Sequence, residues 1–137
     1  MATVEMPHPP EVVFTYLADP RNRPEWQASL TSVTLTDRSE PHVGMTWRES
    51  TLVGVRPRLE ITHLEPCRLW AERGRWHGVT ATLALRFTAI PGGTRVRADG
   101  EVTARGPWGA AAAAAGRLAS RAVKADLERA ARVLARA

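Results

Sequence analysis

The sequence predicts an α+β fold: an antiparallel sheet of about six to seven strands, two short helices after the first strand, and one long helix closing the chain. Three observations carry this. From Ser29 to Thr103 the hydrophobic period is two and turn residues punctuate the stretch, the pattern of an antiparallel meander. Ahead of it, apolar residues recur at helical spacing between prolines. Behind it, after Gly106-Pro107, helical spacing runs to the end.

Residues 3 to 6 form an edge strand. In Pro9-Pro10-Glu11-Val12-Val13-Phe14-Thr15-Tyr16-Leu17-Ala18-Asp19-Pro20 the prolines mark the entrance and exit of a helix, and Val13, Phe14, Leu17 and Ala18 form its docking face. Arg21 to Trp26 holds a second helical turn, capped by Asn22 and anchored by Trp26. Six strands follow, over residues 30 to 37, 44 to 53, 57 to 64, 68 to 74, 77 to 89 and 94 to 104. The fifth buries Val79, Ala81, Leu83, Leu85 and Phe87, and the sixth Val96, Ala98, Gly100 and Val102, with Pro91-Gly92-Gly93-Thr94 as their hairpin. The last helix carries an apolar line through Trp108, Ala112, Ala115, Ala119, Val123, Leu127, Ala130 and Leu134. Its first half is nearly all alanine. Methyl groups facing a curved sheet leave room for a cavity, and Leu127 and Leu134 seal the far end.

Composition narrows the function classes. The chain has 137 residues, 44% hydrophobic and 24% charged, which is the composition of one soluble domain over 1–137 with a sizeable core. No apolar run is long enough for a membrane helix and the start lacks a basic head with an apolar segment, so the expected location is cytoplasmic. Cys67 has no partner cysteine and no Cys/His group has metal-ligand spacing, so no metal and no cofactor is expected. The net charge of +5 invites a nucleic-acid reading. Residues 108 to 137 hold six basic residues against two acidic ones, whereas the rest of the chain is nearly balanced. Along the helix Lys124, Glu128 and Arg132 sit at i,i+4 spacing, as on a solvated face. Eighteen arginines to one lysine, beside 22 alanines, reads as the codon bias of a GC-rich genome. Without aromatic residues among the basic ones, nucleic acid is not the expected partner.

Several stretches resemble the polyketide cyclase/dehydrase and lipid transport group of the START-like, or SRPBCC, superfamily. They are the helix segment from Pro10 to Pro20, Pro24-Glu25-Trp26, Val43-Gly44-Met45-Thr46-Trp47-Arg48-Glu49, Leu59-Glu60-Ile61-Thr62 leading to Glu65-Pro66, and Pro91-Gly92-Gly93-Thr94-Arg95-Val96. The resemblance spans nearly the whole chain. It implies a helix-grip fold, in which the curved sheet wraps the C-terminal helix around a largely apolar ligand tunnel. It does not select an activity, since that superfamily hosts carriers, sensors, cyclases and hydrolases.

Strand parity then nominates the site. Met45, Trp47, Glu49, Thr51 and Val53 point inward on the second meander strand, and His77, Val79, Ala81, Leu83 and Leu85 on the fifth. Glu49 and His77 are the inward polar residues, and a desolvated carboxylate near an imidazole suits proton transfer. The competing structural roles are an arginine pair for Glu49 and a wet rim position for His77. Ligand-lining candidates are Tyr16, Trp26, Trp47, Glu49, Ile61, His77, Ala81, Leu83, Ala112, Ala115 and Ala119. Parity places Trp70 and Trp76 outward, as on a partner or dimer surface, so both monomer and homodimer stand open.

Three functions follow. The first is binding of a small hydrophobic or aromatic molecule between sheet and helix. The second is a polyketide aromatase/cyclase-type enzyme using proton transfer in the same cavity. Ala112, Ala115 and Ala119 count against it, because they bring no polar group to the helix face. The third is a protein-interaction module built on Trp70 and Trp76 or the basic helix.

Overall fold

A computed structural model describes residues 2–36, 38–106 and 109–136, and their side chains except those of 109–120. Strand β1 (Ala2–Met6) leads to α1 (Pro10–Ala18), a 3-10 turn (Pro20–Asn22) and α2 (Arg23–Trp26). The meander follows as β2 (Leu30–Leu35), β3 (Thr46–Thr51), β4 (Arg58–Glu65), β5 (Leu69–Trp76), β6 (Val79–Ile90) and β7 (Gly93–Ala104), and α3 (Gly109–Ala135) closes the chain. The seven strands form one antiparallel sheet in the order β1-β7-β6-β5-β4-β3-β2. The chain thus crosses from one sheet edge to the other through α1 and α2.

Local chemistry explains the elements. Pro10 opens α1, where a missing N–H costs nothing, and Val13, Phe14, Leu17 and Ala18 are its buried face. Phe14 meets Phe87 of β6 edge to face at 5.1 Å. The Asp19 carboxylate accepts from the Arg21 N–H and starts the 3-10 turn. Asn22 does not cap α2 with its side chain as expected; its Nδ2 instead donates to the Tyr16 carbonyl at 3.0 Å, tying α1 to the turn. The β6–β7 hairpin pairs without interruption from Val79↔Ala104 to Ile90↔Gly93, and Gly92 supplies the positive φ of its turn. Gly93 is required for a different reason: a Cβ there would fall on the Met6 carbonyl at the end of β1.

The inner face of the sheet reads across the strands by register. Trp47 lies opposite Leu59, Trp70 opposite Leu85, Phe87 opposite Val96, and Val4 opposite Val96 on its other side. α3 packs against β7, β1 and α2, and its Leu127, Ala130 and Leu134 are buried where the apolar line places them. Ala112, Ala115 and Ala119 lie outside the described side chains, and Trp108 outside the described residues.

Two expectations about facing are corrected. Trp70 is fully buried, and Trp76 is 36% exposed at the sheet end rather than standing on an outer face. The inward row of β5 is Trp70, Glu72, Gly74 and Trp76, while Arg73 and Arg75 face outward opposite Thr82 and Thr80. Two arginines on the other face had to go to water, and that requirement outweighs the apolar look of Leu69 and Ala71. Val53, expected inward, is 84% exposed because β3 ends at Thr51 and the chain turns there.

Candidate functional site

The centre of the molecule holds a buried charge cluster. Arg23 enters it because α2 is a single turn pinned by Trp26 and closed by the Gln27 N–H donating to the Arg23 carbonyl at 2.8 Å. Its guanidinium meets two carboxylates from the inner face of the sheet. Arg23 Nε lies 2.6 Å from Glu49 Oε2, Nη1 lies 3.1 Å from Glu72 Oε2, and Nη2 donates to Glu72 Oε1 at 3.1 Å. The Glu72 contact is thus the two-pronged one, and only its Nη2 prong has full hydrogen-bond alignment. Trp47 Nε1 donates to the same Glu49 Oε2 at 3.0 Å.

Three indoles surround the same guanidinium. Its central carbon lies 5.8, 5.5 and 5.7 Å from the ring centroids of Trp26, Trp47 and Trp70. Each ring face is electron-rich, so the cage offsets part of the hydration the cation has lost. All three rings are fully buried and form the centre of the core.

One cation faces two anions, and burial decides how they titrate. Desolvation pulls the Arg23 guanidinium toward its neutral form, but Glu72 and Glu49 together outweigh that and it stays charged. For Glu72 the balance goes the other way: desolvation, with repulsion from Glu49, outweighs the attraction of Arg23 and pushes its carboxyl from 4.5 up to about 7. Glu72 is a group poised near neutrality in the wall of a cavity.

That cavity, about 380 Å³, lies between the sheet, the α2–β2 connection and α3. Glu49, Glu72 and Arg23 form its polar wall, and Val123 and Asp126 of α3 face them. Asp126 accepts from the Ala28 N–H at 3.2 Å, and desolvation raises its pKa. The space exists because the sheet is lined with small residues at this level. Gly74 pairs with Ala81, Leu83 with Gly100, and Ala2 with Ala98, so their backbones leave volume that larger side chains would fill. Sequence reading placed the origin of the cavity in the helix alanines; among the described side chains the sheet supplies it.

The site candidates divide accordingly. Glu49, Ala81 and Leu83 line the cavity. Trp26 and Trp47 lie behind that wall as the cage around Arg23, and Ile61 is fully buried in the core. Tyr16 is half-buried on α1 and does not line the cavity; its hydroxyl donates to Glu25 at 3.0 Å, and burial with that carboxylate raises its pKa. His77 forms no pair with Glu49. It has φ 51° in the two-residue turn closing β5 to β6, where it is exposed and stacks edge-on against Trp76 at 4.4 Å. A two-residue hairpin loop demands positive φ, so parity could not carry His77 inward. Arg23 and Glu72 are the residues that sequence reading missed. The alternation Trp70-x-Glu72-x-Gly74-x-Trp76 against Arg73 and Arg75 held the signal for Glu72; nothing local marks Arg23 as buried.

Among the described residues no group of three or more His, Cys, Asp or Glu side chains is arranged to hold a metal ion, and no helix is long and apolar enough to cross a membrane. A sequence profile described as polyketide cyclase/dehydrase and lipid transport matches residues 1–137. No curated protein matches the chain in sequence. Solved structures resemble it over nearly its whole length. TTHA0849 from Thermus thermophilus is 16% identical with a TM-score of 0.79, covering 97% of this chain and 94% of that one. MLL2253 from Mesorhizobium loti is 21% identical with a TM-score of 0.75, covering 98% and 96%. DynU16, a protein in the dynemicin biosynthetic locus, is 21% identical with a TM-score of 0.66; 97% of this chain aligns to 45% of that one. At these identities the likeness establishes the fold.

Proposed function

The chain belongs to the polyketide cyclase/dehydrase and lipid transport family, and from that premise we propose that it binds a small hydrophobic or aromatic molecule in the cavity between sheet and α3. The observation that carries this reading is the volume of about 380 Å³ bounded by Gly74, Ala81, Leu83 and Val123, with Glu72, whose pKa burial raises to about 7, in its wall. Small-molecule sites have this build: an apolar enclosure that supplies affinity and a few polar groups that orient. A protonated Glu72 donates a hydrogen bond to a ligand carbonyl or hydroxyl, while Arg23 and Trp47 hold Glu49 beside it in the same wall.

The test is thermal shift and native mass spectrometry against fatty acids, flavonoids, quinones and aromatic polyketides. Wild type is expected to gain about 2.7 kcal/mol when a ligand is present at a hundredfold excess over its Kd. Ala81→Trp fills the cavity from near the start of β6 and abolishes that gain with the fold retained. Absence of a shift from every class, or an Ala81→Trp variant that still binds, overturns the reading.

One observation favours a second reading. A carboxyl that titrates near neutrality inside an apolar enclosure can take a proton from an activated methylene and return it to a departing hydroxyl, the proton transfers of aldol closure and dehydration. In this reading Glu72 has the role that the sequence assigned to the Glu49–His77 pair. Glu72→Gln separates the two: it alters affinity alone if the protein only binds, and stops turnover if it catalyses.

A further inference from the structure

Three connections meet at one end of the sheet: residues 52–57 between β3 and β4, His77 and Gly78 between β5 and β6, and residues 105–106 after β7. The pairings Arg58↔Arg75 and Val79↔Ala104 bring them side by side. Cavity-lining Val55, Pro57 and Trp76 belong to the same end, so the cavity extends to it. The tip of the first connection is apolar and uncovered, with Leu52 71% and Val53 84% exposed. Arg56, Arg58, Arg75 and Arg105 stand exposed around it, and residues 50–59, 73–80 and 102–106 contain no aspartate or glutamate.

We propose that this end docks on an anionic lipid surface. Leu52 and Val53 enter the boundary between headgroups and acyl chains, Trp76 sits at headgroup level, and the four arginines take the lipid phosphates. Charge complementarity selects the partner, since four exposed guanidiniums against one exposed carboxylate of the cavity lining, Glu101, give this end a net positive charge that repels basic surfaces and attracts acidic ones. The shape of the apolar element favours lipid over an acidic protein: a protruding hairpin tip inserts into a fluid layer, whereas a folded partner would need a matching socket. Docking here would set this end of the cavity against the phase in which an apolar ligand dissolves, and to that extent the inference rests on the cavity reading.

The experiment is vesicle flotation of the full chain with phosphatidylcholine alone and with added phosphatidylglycerol. Wild type is expected to float with the anionic vesicles only, and less as salt rises. L52E/V53E is expected to lose flotation entirely. R56Q/R105Q is expected to weaken it about 25-fold, at about fivefold per arginine. Both variants alter exposed side chains, and unchanged unfolding temperatures establish that they fold. No flotation of wild type, or flotation that both variants retain, overturns the proposal. Saturable binding to an acidic carrier protein in place of vesicles overturns it too, and assigns the face to protein. Ligand-induced thermal shift is measured alongside: its absence in wild type strikes the cavity reading, whereas its retention in a wild type that ignores vesicles strikes the docking proposal alone.

Discussion

Replacing Arg23 with methionine is expected to destabilise the protein by about 3–5 kcal/mol at neutral pH, the largest effect of any single substitution considered for this molecule. Arg23, Glu49 and Glu72 are all at least 94% buried, so removing the cation leaves two carboxyl groups in the core without their counter-charge. Methionine preserves apolar volume inside the Trp26, Trp47 and Trp70 cage, so the loss reports charge rather than packing. Urea unfolding at neutral pH measures it, and the corresponding fall in Tm is about 10–15 °C. R23M/E49Q/E72Q should recover most of the loss, because neutralising the whole triad removes the charges the arginine was compensating. Arg23→Lys should fall between wild type and methionine, since an ammonium cannot reproduce the forked contact with Glu72. A methionine variant within about 1 kcal/mol of wild type would mean that the cluster contributes little to the fold.

The second large effect is a pH dependence opposite to that of most salt-bridged carboxylates. Glu72 holds its proton more tightly in the folded protein, with a pKa of about 7 against 4.5. Between those values the native state binds more protons than the unfolded chain, so stability falls as pH rises. The penalty is absent below about 4.5 and complete above about 7, where it reaches about 3 kcal/mol. Asp126 is raised as well, so its contribution has the same sign. Glu72→Gln is expected to flatten most of that slope; an equally steep slope in the variant would show that Glu72 is not its source. If the protein catalyses, the same substitution lowers turnover by about 10²–10⁴-fold, and the wild-type rate rises through the same pH window as the general base ionises.

How much of this was legible in the sequence differs by element. The buried face of α1, the β6–β7 hairpin and the described part of the apolar line on α3 followed from local periodicity. In each, large apolar side chains gather on one face and the other is mostly polar or small, so the choice of inner face is clear. β5 offers no such contrast. Leu69 and Ala71 on one face compete with Trp70 on the other, and Glu72 counts against the true inner face unless its partner is known. The misplacement of Trp70 and the omission of Glu72 are therefore one error. His77 failed for a separate reason, since it occupies the turn after β5 rather than the start of β6.

The sequence by itself determined the order of elements, the strand hairpins and the presence of one inward carboxylate, Glu49, because turn chemistry and hydrophobic period act within a few residues. Only the tertiary structure decided that Arg23 joins that carboxylate to Glu72, which lies 49 residues after Arg23, that three tryptophans enclose the cation, and that glycines and alanines of neighbouring strands line up to leave a cavity. Those outcomes depend on which strands become neighbours and on the desolvation each group meets in the assembled core. Both are properties of the packed molecule, and no window along the chain contains them.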